Sequence, residues 1–440
     1  MLSIIGSITI LVIVILLLSG RLTPIIPLVL VPIVSALIAG FNVSEIGEFF
    51  EEGIGSVISV VVMFIFAILY FGIMQDVGLF DPLINKMIAI SKGNIIIISI
   101  ASVVIAAVAQ LDGSGASTFL ITIPALLPLY KRLNMNPYLL LLLVGGSASV
   151  MNMLPWAGPI GRSATVLDMD VTELWIPLIP IQIIGMILMI GLAVLLGLRE
   201  MHKIKKKMGH IYASVTVEEM LNTQTNNQQQ EKQYSNSKIF WFNIFLTISI
   251  IAVLVSGLLP AGLVFMIGLS IALPINYTSI NDQTERLRAH APNALTMGSI
   301  ILAAGTFLGI LSESGMLDSI ATDVVTIIPN IVGPYIHLIL GFFGIPFELL
   351  LSTDAYYFAL LPVAEKIGSG FGIESLSMTY AMIIGNIVGT FISPFSPALW
   401  LALGLAGAEM GKHIRYSIFW LWIISLILLV MAVFLGIIHI

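Results

Sequence analysis

The chain has 440 residues, of which 58% are hydrophobic and only 10% are charged, and its mean hydropathy is +1.07. Soluble domains carry roughly 25% charged residues, so the composition excludes an ordinary soluble protein and predicts a polytopic helical membrane protein. The absence of cysteine excludes disulfides, thiolate chemistry and cysteine-based zinc or iron–sulfur sites. The formal net charge is a modest -6, and we expect the lipid bilayer, and no nucleic acid, as a partner.

Apolar runs define the candidate membrane spans, since a helical span needs about 20 mainly apolar residues. The run at 2–20 lacks the basic n-region and cleavage site of a signal peptide, so we expect it to be the first membrane helix. The other candidate spans are 23–41, 54–75, 138–156, 175–198, 239–257, 259–275, 292–312, 378–400 and 414–438. Two further regions, 94–131 and 331–366, contain paired short apolar arms, each of which is either two tight spans or one re-entrant hairpin.

Lysine and arginine placement predicts the orientation, because cytoplasmic loops are enriched in both residues. The basic cluster at 199–207 indicates a cytoplasmic loop, and one re-entrant hairpin in each half makes nearly every other basic residue agree with it. Polar, low-complexity sequence completes 199–238, which predicts a flexible cytoplasmic linker between membrane halves at 1–198 and 239–440. Arg162 is the exception, at the outer end of a span; it either has an anionic partner or snorkels to the interface.

The two halves resemble each other. Residues 71–84 align with 308–321 at a spacing of 237, and the prolines at 155 and 394 lie at a spacing of 239. The charge pattern puts 71–84 inside and 308–321 outside, so the predicted repeat is inverted, as in many secondary transporters with broken helices and a midplane site. Short amphipathic helices are predicted at 79–92 and 316–328.

Each predicted hairpin tip combines small, hydroxylated and acidic residues, at 112–118 (DGSGAST) and 351–357 (LSTDAYY). Glycine lets the backbone turn and approach a ligand, and the helix that follows presents free N–H groups to an anion. Asp112 and Asp354 could hold a cation or a proton, since ionisable groups inside a membrane are functional candidates. Alternatively, Asp112 only caps the second arm. Glu348 ranks lower, because it could be an interfacial residue.

Paired prolines interrupt one span in each half, at 155 and 159 and at 394 and 397. Proline removes a backbone donor and disrupts the helix, so we expect broken helices at 138–165 and 378–405. The freed carbonyls can bind a cation, or the new N-terminus can face a carboxylate. Asn152, Ser393 and Ser396 flank these breaks and could hydrogen-bond a ligand.

No nucleophile–base arrangement, HExxH motif or phosphate loop occurs in the sequence, and nothing resembles a repeated channel filter. We therefore expect a transporter, with no enzymatic activity and no cofactor. Its predicted fold is an all-α polytopic membrane protein with two inverted repeats of about five spans, each with a re-entrant hairpin and a Pro-broken helix. The candidate substrate-binding residues are Ser114, Ser117, Thr118, Asn152, Gly158, Arg162, Ser352, Thr353, Asn386, Ser393 and Ser396, and the candidate metal or proton ligands are Asp112 and Asp354.

Three segments carry a family resemblance: LDGSGASTF at 111–119, NMLPWAGPIGRSAT at 152–165, and LSTDAYYFALLP at 351–362 together with the stretch 393–422. They resemble the citrate–metal:proton symporter family of the ion transporter superfamily, over nearly the whole chain except the central linker. The resemblance implies uptake of citrate complexed with a divalent metal ion, driven by protons. It also implies a scaffold domain and a transport domain, elevator-type movement, a homodimer, and a multi-pass location in a prokaryotic cell membrane.

One departure concerns the first tip, where Ser114 stands at a position for which the resemblance implies a second acidic residue. The choice of metal, and the use of complexed citrate itself, therefore stay open. A cation/proton antiporter of the same superfamily is one alternative, and there Arg162 would be structural. A proton- or sodium-coupled carrier for another carboxylate, such as lactate, gluconate or a dicarboxylate, is the other.

Overall fold

The protein is described here from a computed structural model that covers residues 1–18, 21–79, 94–208 and 238–439, together with Pro82 and Lys86. The regular secondary structure of these residues is helical throughout. Six helices are long and apolar enough to cross a membrane, and a bent helix pair at 333–350 would make a seventh span. The predicted class, an all-α polytopic membrane protein, is confirmed.

The first half contains nine helices among its described residues, and two of them form the arms of the first hairpin. In chain order they are α1 (Leu2–Leu18), α2 (Ile25–Ala39), α3 (Val43–Asp76), α4 (Ile95–Ala109), α5 (Gly115–Arg132), α6 (Pro137–Met151), α7 (Gly158–Leu167), α8 (Val171–Trp175) and α9 (Ile179–Met208). Short 3-10 turns at Gln110–Asp112 and Ile176–Leu178 link α4 to α5 and α8 to α9.

The second half has the same kinds of element. In chain order they are α10 (Lys238–Ser256), α11 (Ala261–Asn276), α12 (Ile280–Glu313), α13 (Met316–Ile327), α14 (Ile336–Phe342), α15 (Gly344–Leu350), α16 (Leu361–Gly370), α17 (Ser375–Ile387), α18 (Pro397–Ala406) and α19 (Met410–Phe434). A 3-10 turn at Gly333–Tyr335 precedes α14, and a π-helix at Ala355–Leu360 leads directly into α16.

Helices α3 and α12 are each 34 residues long and pack along each other as the central pair of the molecule. They touch through bare backbone, because a Cβ atom added at Gly53, Gly305 or Gly309 would collide with the backbone of the partner helix. Small residues allow this close approach of membrane helices. The pair starts at Val43 and Ile280, which is the predicted repeat spacing.

Both long helices begin well before the apolar runs that revealed them. The acidic residues from Glu45 to Glu52 lie within α3 instead of in a loop, because Asn42 and Glu45 form a capping box that starts the helix there. Ser279 is the N-cap of α12, where its hydroxyl accepts from the backbone N–H of Asn281, so Arg286 and Arg288 also lie on a helix.

The hairpins and the breaks of the two halves interlock. The first hairpin turns at Gly113, whose φ of +73° lies in the left-handed region that favours glycine. Its second arm, α5, packs against α18, which follows the break of the second half. In return, α7, which follows the first break, packs against the π-helix of the second hairpin.

The remaining predictions about local structure have different outcomes. Helix α13 occupies the segment predicted as amphipathic at 316–328, whereas most of the predicted helix at 79–92 lies outside the described residues. Helix α9 continues to Met208, so the first ten residues of the predicted linker are helical. Residues 209–237 of that linker are outside the described part of the chain.

Candidate functional site

A polar cavity of about 330 Å³ lies between the central pair and the first hairpin. This volume falls in the range of small-molecule sites. Polar side chains line it from both sides: Gln75 on α3, Asp112, Ser114 and Ser117 at the first hairpin tip, Arg162 on α7, and His290, Asn293 and Thr296 on α12. The cavity therefore places a cationic group and a carboxylate within one small-molecule-sized space.

The carboxylate of Asp112 stabilises the turn at the first hairpin tip. Its Oδ1 accepts a hydrogen bond of 2.8 Å from the backbone N–H of Ser114. Ser114, in turn, is the N-cap of α5, where its hydroxyl accepts from the backbone N–H of Ser117. The N-cap of the second arm is therefore Ser114 and not Asp112, whose carboxylate is bonded to the turn just before the helix. Asp112 stays at the wall of the cavity.

Arg162 joins the two halves of the molecule. Its Nε and Nη2 atoms lie 2.8 and 2.7 Å from Oδ1 of Asp354, and the two side chains are only 10% and 15% exposed. The guanidinium group lies over Gly158, where an added Cβ atom would force it to shift. Arg162 does not snorkel to an interface; it has the anionic partner that the other interpretation required, and that partner is a carboxylate of the protein.

Glu348 is the centre of a second polar cluster, behind the second tip. It is fully buried, so the expectation of an interfacial residue is wrong. Its Oε1 accepts from the Thr353 hydroxyl at 3.1 Å, and its Oε2 accepts from Asn386 Nδ2 at 2.7 Å. The Tyr357 hydroxyl donates to Asn386 Oδ1 at 3.2 Å, and the Ser393 hydroxyl donates to the Glu348 carbonyl at 2.7 Å.

The first half contains a neutral counterpart of this cluster. Gln110 Nε2 donates to Asn152 Oδ1 at 2.8 Å, and the Thr118 hydroxyl donates to Gln110 Oε1 at 2.6 Å. Gln110 and Glu348 are separated by 238 positions, which falls within the repeat spacing of 237 to 239 seen in the sequence. Each half thus surrounds one long polar side chain with an asparagine and a threonine.

The structure brings some of the predicted site residues together and separates others. Asp112, Ser114, Ser117 and Arg162 share the cavity. The others are bonded within the protein behind it: Thr118 and Asn152 to Gln110, and Thr353, Asn386 and Ser393 to Glu348. Ser352 accepts from the backbone N–H of Ala355, and the backbone N–H of Ser396 donates to the Ser393 carbonyl.

Sequence reasoning missed the contribution of α12 to the cavity. His290 lies against Gly72, and its Nε2 is 2.9 Å from Oδ2 of Asp76. The apolar run at 292–312 begins only after His290, so hydropathy alone gave no indication of this position in the cavity. The repeat spacing of 237 offers a signal, since it pairs His290 with Gly53, which packs backbone to backbone on the other helix.

A wider cavity of about 620 Å³ adjoins this contact. Asp76 and Arg286 line it, together with Asn243 and Asn276, whose side-chain amides are paired at 2.8 and 3.1 Å. Asp76 belongs to the wall of the wider cavity and His290 to the wall of the smaller one. The contact between these two side chains therefore separates the two spaces.

Short helical arms and broken helices that meet at a polar cavity between two halves are the plan of secondary transporters. The fold and the site together define a polytopic membrane transporter. Residues 3–385 match the family model CitMHS, described as citrate transporter. The chain belongs to this citrate transporter family, as the sequence resemblance indicated, and it is a multi-pass protein of the cell membrane.

Two relatives from Bacillus subtilis (strain 168) are similar over their full lengths. One, a citrate transporter, is 37% identical over 438 residues and covers 100% of both chains. The other, a Mg(2+)/citrate complex secondary transporter, is 36% identical over 440 residues, again with 100% of both chains. Among solved structures, the Alcanivorax borkumensis YdaH transporter shares the fold, with a TM-score of 0.59, 15% identity and 90% coverage of each chain.

Proposed function

We propose that this protein is a secondary transporter that takes up citrate as a complex with a divalent metal ion, Mg²⁺ first among them, coupled to protons. One observation carries the proposal: the Arg162 guanidinium and the Asp112 carboxylate line the same cavity. A metal–citrate complex presents both carboxylate oxygens and a cation, so it needs partners of both signs. Membership of the citrate transporter family and the Mg(2+)/citrate relative support the same substrate.

The cation side of the site favours Mg²⁺. This ion keeps several waters and usually takes only one or two protein carboxylates, whereas Ca²⁺ takes six to eight oxygen ligands. Asp112 supplies a carboxylate at the tip, where Ser114 stands in place of the second acidic residue that the family resemblance implied. Citrate itself provides further oxygens, so the hydroxyls of Ser114 and Ser117 complete a site for a partly hydrated ion.

The anion side of the site depends on Arg162. A planar guanidinium suits carboxylate recognition, because its N–H groups match the two oxygens. Arg162 is held by Asp354 in this structure. A substrate carboxylate therefore has to compete with Asp354 for Arg162, and it reaches Arg162 from the cavity that this arginine lines.

The transport movement in this proposal is of the elevator type. Helices α3 and α12, held together by their glycine contacts, act as the scaffold, and the hairpins with the broken helices act as the moving domain. The position of the cavity supports this division, since scaffold helices form one wall and the first hairpin tip and α7 form the other. A homodimer would anchor two scaffolds side by side, and native mass spectrometry of the purified protein tests that assembly.

Transport of labelled citrate into proteoliposomes tests the function. An inward proton gradient should drive accumulation only when Mg²⁺ or another divalent ion is present, with Ca²⁺ and Zn²⁺ as the comparison ions. Citrate accumulation that is independent of metal would contradict the complexed substrate. If citrate fails to move under every condition, the antiporter, or a carrier for lactate, gluconate or a dicarboxylate, becomes the better assignment.

A further inference from the structure

Glu348 is a buried acid without a cationic partner. It has no exposed surface, and none of the ion pairs among the described residues includes it. Both of its carboxyl oxygens accept hydrogen bonds, but the donors, Thr353 and Asn386, are uncharged. A buried carboxylate is costly unless it is paired or neutralised. Neutralisation by a proton is the route open to this residue.

The surroundings of Glu348 suit both of its protonation states. A threonine hydroxyl can donate to a carboxylate or accept from a carboxylic acid, so Thr353 can satisfy the charged form and the protonated form in turn. Asn386 donates to Oε2 in either case, and its own Oδ1 is fixed by the Tyr357 hydroxyl. The group can therefore gain and lose a proton without leaving a buried polar atom unpaired.

From these contacts we propose that Glu348 is the proton-binding site of the transport cycle, and that the Arg162–Asp354 ion pair links it to the substrate site. This inference rests on the proposed function, since it assigns the coupling of the same transporter. It differs from the sequence prediction, which gave the proton to Asp112 or Asp354.

The link is electrostatic. The charged and titratable groups that act on Glu348 are Arg162 and Asp354, with the phenols of Tyr356 and Tyr357. While Arg162 and Asp354 are paired, their effects on Glu348 oppose each other. When a substrate carboxylate takes Arg162, Asp354 is left as an uncompensated negative charge. Asp354 adjoins Thr353, the hydroxyl partner of Glu348, so the proton-bound form of Glu348 then becomes more favourable.

Substrate binding and proton binding should therefore favour each other, which is the requirement for symport. Linkage makes the effect reciprocal: protonation of Glu348 must strengthen substrate binding by the same factor. A complex of trivalent citrate with a divalent cation carries one net negative charge, so a proton on Glu348 also leaves the loaded site without added charge. Loading the site therefore adds no net charge that has to move through the membrane, where uncompensated charge is expensive.

Glu348→Gln tests the assignment, because the amide keeps the shape of the protonated acid but cannot titrate. Gln110 occupies the matching position between Asn152 and Thr118. One proton for each substrate allows accumulation of about tenfold per pH unit. In proteoliposomes with a gradient of two pH units and the membrane potential clamped, the wild type should accumulate Mg²⁺–citrate many-fold. Glu348→Gln should reach no more than equilibration, while labelled citrate still exchanges across the membrane at a reduced rate.

Glu313→Gln is the matched control, because this exposed carboxylate at the end of α12 belongs to neither cluster; it should accumulate citrate like the wild type. Glu348→Asp keeps a titratable group and should recover part of the accumulation. Normal gradient-driven accumulation by Glu348→Gln would overturn the inference. If wild type itself moves no citrate, the proposed function fails, and that result is distinct from a loss confined to Glu348→Gln.

A binding measurement keeps the inference testable if the Gln variant does not fold. Mg²⁺–citrate affinity of the purified protein should fall as pH rises in the wild type. In Asp354→Asn, which removes the charge that links the sites, the affinity should depend less on pH. An equally strong pH dependence in Asp354→Asn would overturn the proposed link. Size-exclusion profiles show which variants fold.

Discussion

The two hairpin clusters differ by little more than one functional group. Gln110 in the first half and Glu348 in the second are both fully buried, and each is bonded to an asparagine and a threonine. The amide of Gln110 donates to Asn152 and accepts from Thr118. Because an amide does not titrate, this side chain is always neutral. The carboxyl of Glu348 only accepts, so it must carry either a charge or a proton. A nearly repeated framework can therefore be inert in one half and proton-sensitive in the other.

The acidic residues at the two tips show the complementary difference. Asp112 lies at the wall of the cavity, and one of its carboxylate oxygens accepts a hydrogen bond from the backbone of its own turn. Asp354 is bound to Arg162 across the boundary between the halves. The first hairpin is thus arranged to receive a ligand directly, whereas the second responds to the ligand through Arg162. Four substitutions test this difference between the two halves.

Arg162→Gln should have the largest effect. It removes the group for which a substrate carboxylate and Asp354 compete, and it leaves the partly buried Asp354 without its cation. Loss of one member of such a pair costs about 2–5 kcal/mol, so Mg²⁺–citrate affinity should fall by about 30-fold or more. Isothermal titration and uptake in proteoliposomes measure the loss. Arg415→Gln, at an exposed arginine, is the control, and normal uptake by Arg162→Gln would remove Arg162 from the site.

Asp112→Asn should weaken binding of the metal ion and leave coupling to the proton gradient intact. Because the neutral amide is a poor ligand for Mg²⁺, the Mg²⁺ concentration needed for half-maximal citrate uptake should rise by at least about tenfold. Accumulation at saturating Mg²⁺ should still follow the proton gradient. If Asp112→Asn instead abolished gradient-driven accumulation at saturating Mg²⁺, the proton would belong to the first tip.

Gln110→Glu should give the first half an acid like that of the second. None of the ion pairs among the described residues includes Gln110 or its partners Asn152 and Thr118, so burial would disfavour the charged form of a glutamate at this position. Burial disfavours the ionised carboxyl in the folded protein but not in the unfolded chain, so stability should fall as pH rises. We expect the free energy of unfolding to be about 1–3 kcal/mol lower at pH 8 than at pH 6. Thermal unfolding of the detergent-solubilised protein at both pH values measures the difference. Gln110→Leu, which cannot titrate, should show no such difference.

His290→Gln should have the smallest effect of the four. The glutamine can keep a hydrogen bond to Asp76 but cannot carry a positive charge, and His290 touches the cavity from the scaffold side. Citrate uptake should slow by about two- to fivefold, corresponding to roughly 0.4–1 kcal/mol. An initial-rate series over pH is the measurement. A loss as large as that of Arg162→Gln would mean that α12, and not the first tip, supplies the main anchor for the substrate.

The sequence revealed those features that depend on local chemistry. The polar tips around Asp112 and Asp354, the proline-flanked breaks and the unusual position of Arg162 all stand out against an apolar background, because polar groups at membrane depth need a reason. Helix ends were less visible, since α3 and α12 extend into polar sequence that caps stabilise. Hydropathy records where a helix is apolar, and it does not record where the helix begins.

Residues whose surroundings come from distant parts of the chain could not be placed in the same way. Glu348 follows a short apolar arm, and only the packing of α17 encloses it with Asn386. His290 meets Asp76 across 214 positions of sequence. The repeat spacing links Gln110 to Glu348 and Gly53 to His290, so a comparison of unlike residues at matched positions would have drawn attention to both.

The direction in which Asp354 points depends on the number of residues in the π-helix at Ala355–Leu360, and not only on their types. The π-helix begins directly after Asp354 and holds one more residue than an α-helical segment of the same span. Each residue of an α-helix turns it by about 100°, so deletion of a single residue here would rotate Asp354 away from Arg162 while every side chain of the bond remained in the sequence. A one-residue gap in an alignment of relatives at this segment would therefore mark a transporter whose halves are no longer bonded to each other in this way.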